Sequence, residues 1–324
     1  VAAYGFIIWG LGILQFAFST NFWLFLPAMV LMALGLALIS GAPSAWLIDQ
    51  MIAYGVYEKR DQIFPRIQAS VRFFSIIALI SSYIFIGIAE RLPIIIAGCT
   101  AIIAGITALI IGEDNYGEIN GNNIFNIMHI YLKDFVKEKK LVVLALRNII
   151  CYTSFIAFVL YWQIYATEII EIKNKYLAVF LIAFMILLMM GNFSVSILTK
   201  RINSFMTSIL GIVISILGFG LLLTFQSLTI FIVAAGLVEF GFGVEQASTS
   251  TWVCDYIKSE TRATYSSIFS TIQAVGGFLI TNFLGLLTEA TAVNTAWIVA
   301  IVAMISDILI LVVFYYKYRN KRTL

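Results

Sequence analysis

Ala45-Trp46-Leu47-Ile48-Asp49 closes one long apolar segment, and Thr251-Trp252-Val253-Cys254-Asp255 closes another 206 positions later. Ile67-Gln68-Ala69 and Ile272-Gln273-Ala274 follow at an offset of 205, so the register holds through a loop and into the next segment. A parallel internal repeat in so apolar a chain predicts two similar halves flanking a central site, an arrangement suited to moving solutes.

Composition places the repeat in a membrane. Of 324 residues 61% are hydrophobic and 11% charged, against roughly 45–50% and about 25% in soluble domains. Apolar runs able to cross a hydrocarbon core of about 20 helical residues are read at 4–20, 23–49, 66–89, 92–112, 141–165, 176–198, 204–225, 228–254, 264–287 and 294–316. The expectation is an all-α membrane protein with ten transmembrane helices.

Lys and Arg orient it, because cytoplasmic flanks retain positive charge. With Val1 inside, fifteen basic residues fall on inner segments, while Arg91, Lys173 and Lys175 alone fall outside. Both termini are therefore expected in the cytoplasm, in a multi-pass protein of the cell membrane. The net charge of +3 reflects this topology. The basic residues are dispersed, without the aromatic-interleaved patch of a nucleic-acid binder, and the run from Lys317 to Arg322 reads as an anchor at the last helix.

No Walker loop, dinucleotide fingerprint, nucleophile elbow or zinc motif is present, so neither an enzyme nor a cofactor is expected. Cys99, Cys151 and Cys254 lie in apolar spans without metal-ligand spacing, and the single His129 sits in a polar loop. That loop, 113–140, carries Gly, Asn and acidic residues and then a basic run. It reads as a cytoplasmic linker with a short amphipathic helix from Ile124 to Val136. The expected domains are an incomplete transmembrane half at 1–112, the linker at 113–140 and a six-helix half at 141–324.

Shifting by 206 lays spans 1 to 4 over spans 7 to 10 and leaves spans 5 and 6 unmatched. The repeat therefore predicts two further helices ahead of Val1, over roughly 65 residues.

Two six-helix halves, a cytoplasmic central loop and both ends inside resemble the major facilitator superfamily. The run from Ser40-Gly41-Ala42-Pro43 to Asp49, and Glu260-Thr261-Arg262-Ala263-Thr264, are similar to patterns at the ends of that family's fourth and tenth helices. Gly191-Asn192 through Thr199-Lys200-Arg201 is similar to its loop between helices 8 and 9. The resemblance covers essentially the whole chain, as helices 3 to 12. Span 3 departs from it, reading Ser70-Val71-Arg72-Phe73-Phe74 in place of the Gly-rich, Pro-containing motif of many drug/proton antiporters. The resemblance implies alternating-access transport of a small solute, with proton-coupled drug or metabolite efflux as one form. A non-transporting membrane subunit or receptor, and a lipid translocase of the same fold, are the alternatives.

Carboxylates deep in a span demand a partner, a proton or a water-filled cavity, because insertion of the bare charge costs about 2.5–3.5 kcal/mol. Glu239, Glu245 and Asp307 are read as deep. Glu239 and Glu245 lie about 120° apart on one helix, so one faces a cavity and the other a neighbouring helix. Either is a candidate for binding a proton or a cationic group, or for a protonated carboxyl in a helix contact. Asp307, on a span resembling the peripheral twelfth helix, reads as a structural or oligomer contact. Gln246, Gln163, Tyr152 and Gln273 are further candidates for the solute site, with Gln68, Trp162 and Asn282 as other polar groups seeking protein or water. Trp9, Trp23 and Trp297 read as packing or interfacial anchors. Asp49 and Asp255, at equivalent repeat positions, are candidates for a gating latch, and the resemblance implies Arg201 as the partner of Asp255.

Overall fold

The computed structural model describes residues 2–39, 42–56, 60–112, 124–253, 256–257 and 262–318. Among the described residues there are helices and no strand, as expected where lipid offers backbone N–H and C=O groups no partner of their own. The first unit holds α1 (Ala2–Phe18), α2 (Phe22–Ile39), α3 (Ala42–Ala53), α4 (Arg60–Ile86) and α5 (Leu92–Ile111). The second holds α6 (Ile124–Lys137), α7 (Lys139–Ile164), α8 (Leu177–Leu198), α9 (Ser204–Thr224), α10 (Leu228–Val253), α11 (Arg262–Ala290) and α12 (Asn294–Tyr318). A π-turn at Tyr165–Ile169 prolongs α7. The two compact units are 1–121 and 122–324.

Among the described residues, eight helices are long and apolar enough to cross a membrane, where ten are expected. The two that fall short are α1, with 17 residues, and α4, whose apolar part is Phe73–Ile86. The span expected over 23–49 is covered by α2 and α3, with residues 40 and 41 outside the described residues. The helix expected over 124–136 runs from Ile124 to Lys137.

Within the first unit α1 packs along α2 and α5, and α4 meets α5. Within the second, α10 packs against α9 and α8, α12 against α7 and α9, and α11 against α7 and α12. Shifting by 206 turns the pairs α1·α2, α1·α5 and α4·α5 into α9·α10, α9·α12 and α11·α12. The repeat is thus a repeat of packing as well as of letters. Its basis is small residues. Gly5, Gly12 and Gly35 stand at the positions of Gly211, Gly218 and Gly241, and each pair meets equivalent neighbours. A Cβ on Gly12 would lie 3.0 Å from the carbonyl oxygen of Ala28, and one on Gly218 would lie 2.6 Å from that of Ala234. Between apolar helices in lipid, this close backbone approach supplies the dispersion contact that drives association.

The core of the second unit is aromatic. Phe158, Phe184, Phe219 and Trp297 are fully or almost fully buried, and their rings meet at centroid separations of 5.6–6.1 Å. Tyr165 donates its O–H to the carbonyl of Leu222 at 2.7 Å, which satisfies the phenol where the π-turn begins. Helix α6 docks on the ends of α7 and α11 through Phe135, whose ring meets Phe269 at 5.2 Å and Tyr265 at 5.6 Å. On its outer side Lys137 pairs with Asp134 at 3.7 Å in solvent, a contact worth about 0.2–1 kcal/mol at most.

Candidate functional site

Arg147 lies two turns inside α7, with 2% of its surface exposed. A buried guanidinium survives only when its donors are used, because removing it from water costs several kcal/mol. Here they are used by two other helices. Nε donates to Oδ1 of Asp307 on α12 at 2.7 Å and Nη2 to Oδ2 at 2.8 Å, the forked geometry that suits Arg to a carboxylate. Nη2 also donates to Oε1 of Glu245 on α10 at 2.5 Å, and Nη1 to the hydroxyl of Thr249 at 3.1 Å. Thr249, one turn beyond Glu245, donates to the same Oε1 at 2.6 Å. The cluster joins α7, α10 and α12 and holds two carboxyl groups against one cation. With both carboxylates ionised its charge is −1.

The three groups differ in what they face. Asp307 is fully buried with both oxygens in the fork. Glu245 and Arg147 line a cavity of about 470 Å³, formed within the second unit by α7, α8, α10 and α11 with Ile257. That volume lies within the range of about 300–1,000 Å³ typical of small-molecule sites. Leu144, Phe155, Leu188, Phe242, Val253 and Phe269 make most of the wall apolar. Across it, Asn148 donates its side-chain amide to Oε1 of Gln273 at 2.8 Å, tying α7 to α11. Tyr152, one turn beyond Asn148, stacks on Phe155 with ring centroids 5.9 Å apart and 22° between planes.

Of the residues singled out in the sequence, Tyr152, Glu245, Gln246 and Gln273 come together in this cavity. Glu239 does not. It is buried on the side of α10 that carries Gly236 and Gly243, the glycines that face α8, and lines no part of this cavity. Gln163 is exposed near the far end of α7 and lines no part of the cavity. Trp162 packs on Phe184, and Asn282 donates to the carbonyl of Phe278 in its own helix. Trp297 is fully buried in the core, whereas Trp23 is 76% exposed. Asp307 is an internal contact of the second unit, so the oligomer-contact reading gives way to the ion pair with Arg147. Arg201 is exposed in the turn between α8 and α9. Its expected partner Asp255 lies outside the described residues, as do the side chains of Asp49 and Gln68.

Arg147 itself escapes the sequence reading, which sought carboxylates. The signal is nonetheless there. Of 20 Lys and Arg, eighteen fall on loops and helix ends, and Arg72 and Arg147 are left inside spans.

The sequence model described as Major Facilitator Superfamily matches residues 1–281. None of the curated proteins matches the chain in sequence. Among solved structures, the chain is similar to the nucleoside transporter NupG, with a TM-score of 0.71 and 13% identity over 98% of this chain and 82% of that one. A variant of the E. coli fucose:proton symporter FucP gives 0.60 and 13%, over 97% and 83%. A bacterial homologue of the human lysosomal transporter Spinster, inward-facing and unoccupied, gives 0.59 and 14%, over 98% and 81%. At these identities the likeness is one of fold.

Proposed function

The chain belongs to the major facilitator superfamily, a family of membrane transporters rather than enzymes, and we propose that it moves a small solute by alternating access, driven by protons that bind at Glu245. The observation that carries this reading is the buried cluster of two carboxyl groups and one guanidinium on the wall of a solute-sized cavity. One proton neutralises it. Asp307 keeps the fork of Arg147, and Glu245, whose Oε1 takes both hydrogen bonds, is the carboxyl of the pair that lines the cavity. Protonation weakens the hold of Arg147 on Glu245 and so changes the tie between α7 and α10, a local charge event of the kind that biases a two-state element.

In this reading the protein is a multi-pass protein of the cell membrane with ten crossing helices and both termini in the cytoplasm. Its transmembrane halves are 1–112 and 141–324, joined by the cytoplasmic linker 113–140. Asp49 and Asp255 close the cytoplasmic side, Asp255 with Arg201. Glu239 is a packing carboxyl on the α8 side.

The test is transport by the purified protein in proteoliposomes, with and without a pH gradient across a panel of solutes. Wild type accumulates or expels its solute in proportion to the gradient, and the sign gives the direction, efflux included. Glu245→Gln, which keeps size and hydrogen bonding but removes titration, abolishes the response to the gradient and retains exchange of solute at equal pH. An unchanged gradient response in that variant excludes Glu245 as the coupling site. A protein that moves no solute at all favours the receptor or subunit alternative.

A further inference from the structure

The cavity also carries information about its occupant. Its only described cation, Arg147, directs four of its five N–H groups at Asp307, Glu245 and Thr249, and the two carboxyl groups outweigh its charge, so no net positive charge remains for an anion. Beside the hydroxyls of Tyr152, Thr249 and Ser250, the remaining polar features are the amides of Asn148, Gln246 and Gln273. Whichever way the Asn148–Gln273 pair is oriented, the hydrogen bond between them uses one donor and one acceptor. Each side chain brings two N–H groups and one carbonyl. The pair therefore offers the cavity a free carbonyl on one residue and free N–H groups on the other, side by side. This pattern complements a cis-amide edge, where C=O and N–H are neighbours, as when an Asn or Gln reads the edge of a base. Next to the pair along α7 stands the stacked couple Tyr152 and Phe155, with Phe242 edge-on to Phe155 at 5.5 Å. Aromatic faces of this kind suit a flat ring. A free sugar, with hydroxyls on every side, would leave several of them against the apolar wall.

We propose that this cavity takes an uncharged planar heterocycle with a lactam edge, the chemistry of a nucleobase or nucleoside, held edge-on by Asn148 and Gln273 and face-on by Tyr152. The inference rests on the reading of this cavity as the solute site. It follows from the lining alone, since the likeness to NupG is one of fold. The leftover negative charge of the cluster is met by the proton, so the solute itself is neutral.

The test uses the full chain in lipid nanodiscs and equilibrium binding by calorimetry, with uridine, 3-methyluridine, glucose and tetraphenylphosphonium as probes. Uridine binds, and 3-methyluridine, whose ring N–H is blocked, binds at least about tenfold more weakly because the site's acceptor is left unpaired. Gln273→Leu weakens uridine by about tenfold or more and narrows the gap between the two nucleosides, whereas Tyr152→Ala weakens both alike. The wild-type comparison stands even if a variant fails to fold. Absence of uridine binding, equal binding of the methylated nucleoside, or tighter binding of glucose or of the aromatic cation overturns the proposal. Proteoliposomes separate it from the transport reading. Uridine bound through its N–H but not moved leaves the ligand class standing and removes transport, and gradient-driven movement of another solute without uridine binding does the reverse.

Discussion

Arg147 holds Asp307 in a fork and Glu245 by a single nitrogen, so the consequences of losing each partner differ. Arg147→Met leaves Asp307 fully buried and Glu245 at the cavity wall without their cation, and breaking a buried pair in this way costs about 3–5 kcal/mol. Removing Asp307 as well, in Arg147→Met with Asp307→Leu, replaces the pair by apolar groups and recovers most of the loss. Thermal unfolding in detergent measures both. A double variant as unstable as the single one would show that packing rather than charge sets the cost. At this scale the sequence was readable in part. Glu245 and Asp307 stand out because a carboxylate in an apolar run is costly wherever it points. Their association is not readable, because α10 and α12 are 62 residues apart at the two carboxylates and only three-dimensional packing brings them to one guanidinium. Arg147 was hidden by its neighbourhood, since it follows Lys139 and Lys140 closely enough to pass for the tail of a basic helix end.

Glycines decide how closely the helices approach. A Cβ on Gly241 would lie 2.6 Å from the carbonyl oxygen of Gly211, and one on Gly35 would lie 2.6 Å from the Cα of Trp9. Gly241→Val and Gly35→Val therefore force α9 from α10 and α1 from α2, with a loss of about 1–3 kcal/mol each from overpacking. Gly220→Ala is the control, because a Cβ there meets nothing within 4 Å and the helix gains from the exchange. Denaturant unfolding of the three variants checks the order, and equal effects at all three positions would remove the close-packing argument. Most elements were legible, because hydrophobic length and the polar linker mark their ends. The partners of the close-packed glycines were not, since a glycine in an apolar run does not say which helix its bare face meets.

For the whole molecule the repeat is the organising fact, and it is legible because equivalent helix pairs need equivalent small residues wherever backbones touch. The same offset of 206 joins Asp49 to Asp255, each at the end of a repeat unit that the proposed topology puts on the cytoplasmic side. Alternating access requires contacts that exist in one state and not in the other, since a group that serves both equally shifts nothing. A carboxylate at a helix end, able to pair with a basic loop residue such as Arg201 when the cytoplasmic side is shut, meets that condition. Asp255→Asn keeps the size of the side chain and removes its charge. An exposed ion pair is worth about 0.2–1 kcal/mol, so the loss shifts the equilibrium toward the state open to the cytoplasm by roughly 1.4- to fivefold. Insertion and thermal stability stay near wild type, because a charge at a solvated helix end contributes little to either. Spin labels on the cytoplasmic ends of α3 and α11 report the change as a larger share of long distances, and Asp49→Asn moves the distribution in the same direction. Arg201→Gln reproduces the effect of Asp255→Asn, and combining the two adds nothing further if they form one contact. Distance distributions and transport rates that match wild type in all three variants would show that these charges serve the helix ends alone.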